Sequence, residues 1–261
     1  MSRIKEAFLN KKAFIGFITG GDPNVEKSKE FILEMVKAGA DLIEIGIPFS
    51  DPIAEGPVIQ AANSRALGAG TTLEKIFSLT EDLRKEINIP GKYIPLVFLT
   101  YLNPVFRYGY DSFFKRAREV GLDGIIIPDL PFEEQEPVRE AAAKYDIDLI
   151  SLIAPTSEER IKEIAAKAKG FIYLVSSMGV TGIRGEITTD LAAIRASIKS
   201  ITEVPVAIGF GIHTRAQAKE MAKIADGVIV GSAIVRIIAE HGEAAGPHIY
   251  RYVQEMKEAI A

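Results

Sequence analysis

Glu44 and Glu55 fall in one stretch, Asp41 to Gln60 (DLIEIGIPFSDPIAEGPVIQ), where an apolar strand carries the first carboxylate and the loop beyond it delivers the second. Counting in twos from Leu42 puts Glu44 on the same face as Leu42 and Gly46, while Ile43, Ile45 and Ile47 take the other. So dense an apolar run reads as a strand buried on both faces, which would raise the pKa of Glu44 and leave it a proton donor near neutrality. That is the requirement for a general acid. Glu55 lies in the segment Pro48 to Pro57, which is stiffened by prolines and also carries Asp51. From its position alone, Glu55 suits either a solvated loop acid or an ionised partner to Glu44. One protonated and one ionised carboxyl, separated by unequal burial, would make an acid–base pair.

The elements that must position this pair alternate along the whole chain. Short β-rich runs at 13–19, 42–47, 95–100, 124–128, 147–153, 170–176, 205–209 and 227–230 are each followed by an amphipathic helical stretch. The first helix, about 25–38, starts at Asp22-Pro23-Asn24 and stops at Gly39; the second crossover is longer, with helices from about Val58 to Leu67 and from Leu73 to Ile87. Thr71 or Thr72 would cap the later one. Eight βα units in 261 residues favour an α/β fold of the closed (β/α)8 (TIM) barrel type, as one domain over 1–261, rather than an open doubly wound sheet. Ser2 to Leu9 can form an extra helix closing the bottom of the barrel.

In such barrels chemistry sits at the C-terminal ends of the strands, and only those positions need searching. They hold Phe17, Glu44, Tyr101, Asp129, Tyr173, Gly209 to Gly211, and Gly231 with Ser232. Gly231-Ser232-Ala233 opens a helix directly after the last strand, where backbone N–H groups and the helix dipole can hold a phosphate. Asp129 suits equally a ligand contact or an orienting role at the neighbouring strand ends. Tyr101 and Tyr173 can line a pocket or simply pack. Gly179 to Gly182, after the sixth strand, has the glycine content of a lid. No lysine ends a strand, which argues against Schiff-base chemistry, and the three histidines, His213, His241 and His248, form no plausible metal cluster. Metal-free acid–base work on a phosphorylated substrate remains.

Composition narrows the classes further. The chain contains no cysteine, so a disulfide framework and a thiolate nucleophile are both excluded. Its net charge of −4 comes from interspersed residues of both signs, without the basic face of a nucleic-acid binder. There is neither a signal-peptide core at the N-terminus nor a run long enough to cross a membrane, and the expectation is a soluble cytoplasmic protein with a small-molecule substrate.

The motifs FITGGDP (Phe17 to Pro23), GADLIEIGIPFSDPIAEGPVIQ, TYLNPVF (Thr100 to Phe106), IIIPDLP, GFIYLVSSMGVTG, GFGI and GSAIV stand in one order over essentially the whole chain. In that order they resemble the tryptophan synthase α-subunit family. The resemblance implies retro-aldol cleavage of indole-3-glycerol phosphate to indole and glyceraldehyde 3-phosphate. It implies no cofactor on this chain, and a pyridoxal-phosphate-dependent β subunit as partner in an α2β2 assembly. By position Glu44 matches the acid that protonates the indole ring carbon, and Glu55 matches an aspartate that engages the indole N–H. The chain departs from the familiar ADGP loop here, reading Ala54-Glu55-Gly56-Pro57. Thr181 and Gly182 match a closing lid, Gly182, Gly211 and Ser232 match phosphate contacts, and Phe17, Tyr173 and Phe210 match the indole pocket. A free-standing lyase and a weakly active phosphate-sensing regulatory subunit are the alternatives. The segment after the third strand, read as an apolar, aromatic loop, would form the partner-docking face with Pro52, Ile53, Asn103, Pro104, Val105 and Phe106.

Overall fold

A computed structural model of the chain describes residues 3–87, 93–176, 190–209 and 211–261. Its strands are β1 (Ala13–Thr19), β2 (Leu42–Gly46), β3 (Leu96–Leu99), β4 (Gly124–Ile126), β5 (Asp148–Leu149), β6 (Ser151–Ile153), β7 (Ile172–Val175), β8 (Val206–Gly209) and β9 (Gly227–Val230). All pair in parallel, in the order β5-β4-β3-β2-β1-β9-β8-β7-β6. The expected single strand over 147–153 is thus two pieces with Ile150 between them. The break marks a change of neighbour: β5 pairs with β4 and β6 with β7, while the Ile150 N–H still donates to the Ile125 carbonyl at 2.9 Å. One stave serves both ends of the sheet, and the ring closes through it.

The helices form where apolar spacing and caps direct them. Val25–Lys37 buries Phe31, Ile32, Met35 and Val36 against the outside of the sheet, and Asn24 accepts a hydrogen bond from the Lys27 N–H at 2.8 Å. Of the two threonines, Thr72 caps Leu73–Glu86 through the Lys75 N–H. The segment after β3 is not a loop. It folds as helix Leu102–Tyr108, turns at Gly109 with φ 87°, and continues as helix Tyr110–Glu119. Pro104 is tolerated because it stands in the first turn of its helix, where the missing N–H has no intrahelical partner.

Two layers of apolar side chains flank the sheet. The outer layer joins helices to strands; the inner one fills the lower barrel with Ile15, Leu42, Val97, Ile126, Ile150 and Phe171. The expected N-terminal helix is a 3-10 helix, Arg3–Phe8, and its Ile4 and Ala7 plug this inner layer from below.

Three aspartates immediately preceding strands fasten the lower rim. Asp41 accepts from the Phe14 N–H, Asp123 from Leu96 and Asp226 from Val206, each at 2.9 Å, and each returns its own N–H to the same residue's carbonyl. Cations complete each site: Lys11 and Lys257 at Asp41, Arg3 and Arg84 at Asp123, Arg195 and Lys199 at Asp226. Both ends of the chain are tied to this rim, through Arg3 and Lys257.

Candidate active site

At the opposite rim the strand ends surround a cavity of about 720 Å³, mouth included, walled by Phe17, Leu99, Leu152, Tyr173 and Ile229. Glu44 opens into it from β2, only 1% exposed. The wall offers its carboxyl little: among the described residues no group hydrogen-bonds its Oε2. Burial first, and the nearby Glu55 carboxyl second, push the Glu44 pKa up to about 8. Near neutrality the group is an acid with a proton to give.

Glu55 is not the solvated loop acid that its position suggested. The segment after β2 folds back so that Glu55 is 6% exposed and lines the same cavity. Three contacts hold it there. The Asn63 side-chain amide, from helix Pro57–Gly68, donates to Glu55 Oε2 at 2.9 Å; Gln60 Nε2 donates to the Glu55 carbonyl at 2.8 Å; and the Ala54 N–H donates to the Tyr101 hydroxyl at 3.1 Å. Burial pushes the Glu55 pKa up to about 7, while the Asn63 donor, which favours the anion, pulls against it. The two carboxyls keep the expected order, Glu44 the more proton-retentive, although neither is wet.

Glycines admit the cavity's aromatic walls. A β-carbon at Gly46 would strike the Phe17 ring, and one at Gly209 would strike the Tyr173 ring. Gly209 thus serves the pocket wall, while Gly211, Gly231 and Ser232 line the cavity itself. Helix Ser232–His241 starts there with Gly231 as its N-cap and no side-chain cap, so its first backbone N–H groups are open to an anion.

The remaining expected residues divide. Tyr101 lies behind the Glu55 segment, stacked on Phe49 with ring centroids 5.3 Å apart, and supports the wall without lining it. Asp129 accepts from the Leu102 N–H at 2.9 Å and so fixes the start of helix Leu102–Tyr108. Thr181, Gly182 and Phe210 lie outside the described residues. Among the expected partner contacts, Val105 is wholly buried in the outer core, because its place in a helix turns it inward, whereas Ile53 and Phe106 are 73% and 64% exposed. Sequence reasoning missed Leu99, Leu152, Ile229 and Asn63. The first three were hidden among ordinary apolar strand residues; for Asn63, a polar side chain on the apolar face of helix Pro57–Gly68 was the available signal.

Comparison with known proteins places this chain in a family. The family model described as "Tryptophan synthase alpha chain" matches residues 3–261. The tryptophan synthase alpha chain of Lacticaseibacillus casei is 49% identical over 260 residues, covering 100% of this chain and 96% of its own length. Among solved structures, Mycobacterium tuberculosis tryptophan synthase superposes with a TM-score of 0.89 at 33% identity, covering 99% of this chain and 98% of the other. The alpha chain from Legionella pneumophila gives 0.87 at 36% identity, covering 100% and 97%. With its barrel, its cavity and its full-length match, the chain belongs to the tryptophan synthase alpha chain family and is a carbon–carbon lyase of tryptophan biosynthesis, cleaving indole-3-glycerol phosphate.

Proposed function

We propose that cleavage occurs in the Glu44–Glu55 cavity, with Glu44 as the general acid and Glu55 as the anion beside the indole nitrogen. The observation that carries this reading is the placement of two carboxyls of unequal proton affinity in one apolar cavity. Glu44 delivers its proton to the indole ring carbon bearing the glycerol phosphate chain, and the ring becomes a cationic iminium. Glu55 accepts the indole N–H and stabilises that cation, an interaction strengthened by the low polarity of the walls. Glu44, left as a carboxylate by that transfer, takes the proton of the neighbouring substrate hydroxyl and regains its acid form, and the hydroxyl oxygen becomes the aldehyde oxygen. The carbon–carbon bond breaks, and its electron pair returns to the ring to neutralise the iminium.

The apolar part of the cavity lined by Phe17 and Tyr173 receives the indole, and the phosphate lies on Gly211 and the helix start at Gly231 and Ser232. The whole chain, 1–261, acts as one cytoplasmic domain and needs no cofactor of its own. Its partner is a pyridoxal-phosphate-dependent β subunit in an α2β2 assembly, docked over Pro52, Ile53, Asn103, Pro104 and Phe106. Support for this face is the exposure of Ile53 and Phe106 near the rim where Glu55 sits. The test is turnover of indole-3-glycerol phosphate by the purified chain with and without the β subunit, read by indole fluorescence, to which this chain adds no tryptophan background. Indole release that rises with the β subunit supports the reading. Turnover that is high alone and indifferent to the β subunit indicates a free-standing lyase, and none in either case removes the mechanism.

A further inference from the structure

Asn63 is 4% exposed, and both ends of its amide are engaged. The Phe49 N–H, which can only donate, faces Asn63 Oδ1 at 3.3 Å. The orientation of the amide is thereby fixed, and its Nδ2 is left to donate to Glu55 Oε2 at 2.9 Å. The helix bearing Asn63 is itself anchored, because Arg65 grips the buried Asp22 carboxylate through two hydrogen bonds, of 2.8 and 2.7 Å. A rigid donor therefore meets a carboxylate that reaches it on a glutamate's longer arm.

We infer that Asn63 is a positioning residue for the reaction, holding the Glu55 carboxylate at the cavity wall with its charge intact. The inference rests on the reading of Glu55 as the anion beside the indole nitrogen. Among the described residues, the titratable groups facing Glu55 are Glu44 from β2, Tyr173 from β7 and Tyr101 just past the end of β3, and none of them carries positive charge. Among the described residues no cation forms an ion pair with Glu55. The Asn63 amide is therefore the side chain that favours the anion against burial. Without it, Glu55 takes up a proton at a higher pH and ceases to oppose the charge on the ring.

The experiment is the pH dependence of kcat and KM for indole-3-glycerol phosphate, measured on the full chain with its β subunit for wild type, Asn63→Leu, Asn63→Asp and Asn63→Ser. The acidic limb of the profile reports the group that must be ionised. Asn63→Leu is expected to move that limb up by about one pH unit, a roughly tenfold loss of rate on the acid side, with KM little changed. Asn63→Asp, which sets a second carboxyl against the first, moves it further. Asn63→Ser keeps a hydroxyl donor and recovers part of the loss. If the Leu variant does not fold, the Asp and Ser variants carry the same measurement. A fall in kcat with the limb unmoved assigns Asn63 to packing and overturns the proposal. Failure of the underlying reading looks different: Glu55→Gln then retains full activity whatever Asn63 does.

Discussion

Phe17 on β1 is the register partner of Glu44 on β2, and both line the cavity, so the acid's neighbour across the ladder is an aromatic ring. A neutral carboxyl fits beside such a ring, and an ionised one is poorly accommodated. Glu44→Gln preserves the shape and the neutral charge but has no acidic proton to donate. It is expected to lower kcat by at least about 10²–10⁴-fold while leaving glycerol phosphate binding intact, as judged by calorimetry. A variant retaining half its activity would remove Glu44 from the chemistry.

The same burial sets a stability effect whose sign is opposite to that of a carboxylate in an ion pair. The Glu44 pKa rises from 4.5 to about 8 on folding, so above pH 4.5 the unfolded chain releases a proton that the folded chain retains. The penalty is absent below that pH, grows as pH rises, and is complete above pH 8. Glu44→Gln is therefore expected to be more stable than wild type at pH 8, by on the order of 2–4 kcal/mol, and to lose that advantage near pH 4. Urea unfolding at the two pH values reads the difference directly. An advantage that grows toward acid would refute the assignment.

For activity, one carboxyl must be ionised and the other protonated. The wild-type kcat/KM is expected to rise as Glu55 ionises near pH 7 and to fall as Glu44 ionises near pH 8, giving a narrow bell. Mutual repulsion makes these limbs properties of the pair. Glu55→Ala should lose about 10²-fold or more of kcat, whereas Glu55→Asp keeps the charge and should stay within about tenfold of wild type. Equal, unimpaired rates in both variants would make Glu55 a bystander.

The order of the barrel's elements could be read in advance because alternating strands and helices leave two strong periodicities, and caps such as Asn24 mark helix starts chemically. The position of Glu44 followed from counting in twos along one strand. Glu55 was harder to place, because a loop's path depends on distant partners: here the Tyr101 hydroxyl accepts from the Ala54 N–H, and the Asn63 amide donates to the Glu55 carboxylate. The split at Ile150 was invisible for a similar reason. Which neighbour a strand bonds is a property of ring closure, and nothing in its own seven residues records it. Helix Leu102–Tyr108 was obscured by Pro104, a residue that breaks helices everywhere except in the first turn.

The exposed pair Ile53 and Phe106 gives the docking proposal a direct check. Phe106 packs edge-on to Tyr110 with centroids 6.1 Å apart and otherwise offers its ring to solvent. Ile53→Asp and Phe106→Asp are each expected to weaken β-subunit affinity by roughly tenfold or more, with little change in the melting temperature of the isolated chain. Titration calorimetry with the β subunit measures this, and wild-type affinity in the double variant would exclude the face.

The three aspartate fasteners divide the barrel into halves that should exchange their amide protons with water at very different rates. Phe14, Leu96 and Val206 each donate their N–H to a carboxylate that cations hold in place, so releasing any one of them requires breaking a charge cluster, built on a buried carboxylate at Asp41 and Asp123 and on a half-buried one at Asp226. In deuterium exchange these amides should open only with global unfolding, while those of 48–57 at the other rim exchange through smaller local openings. The cavity's rim can then flex around a substrate while the opposite ends of β1, β2, β3, β4, β8 and β9 stay fastened.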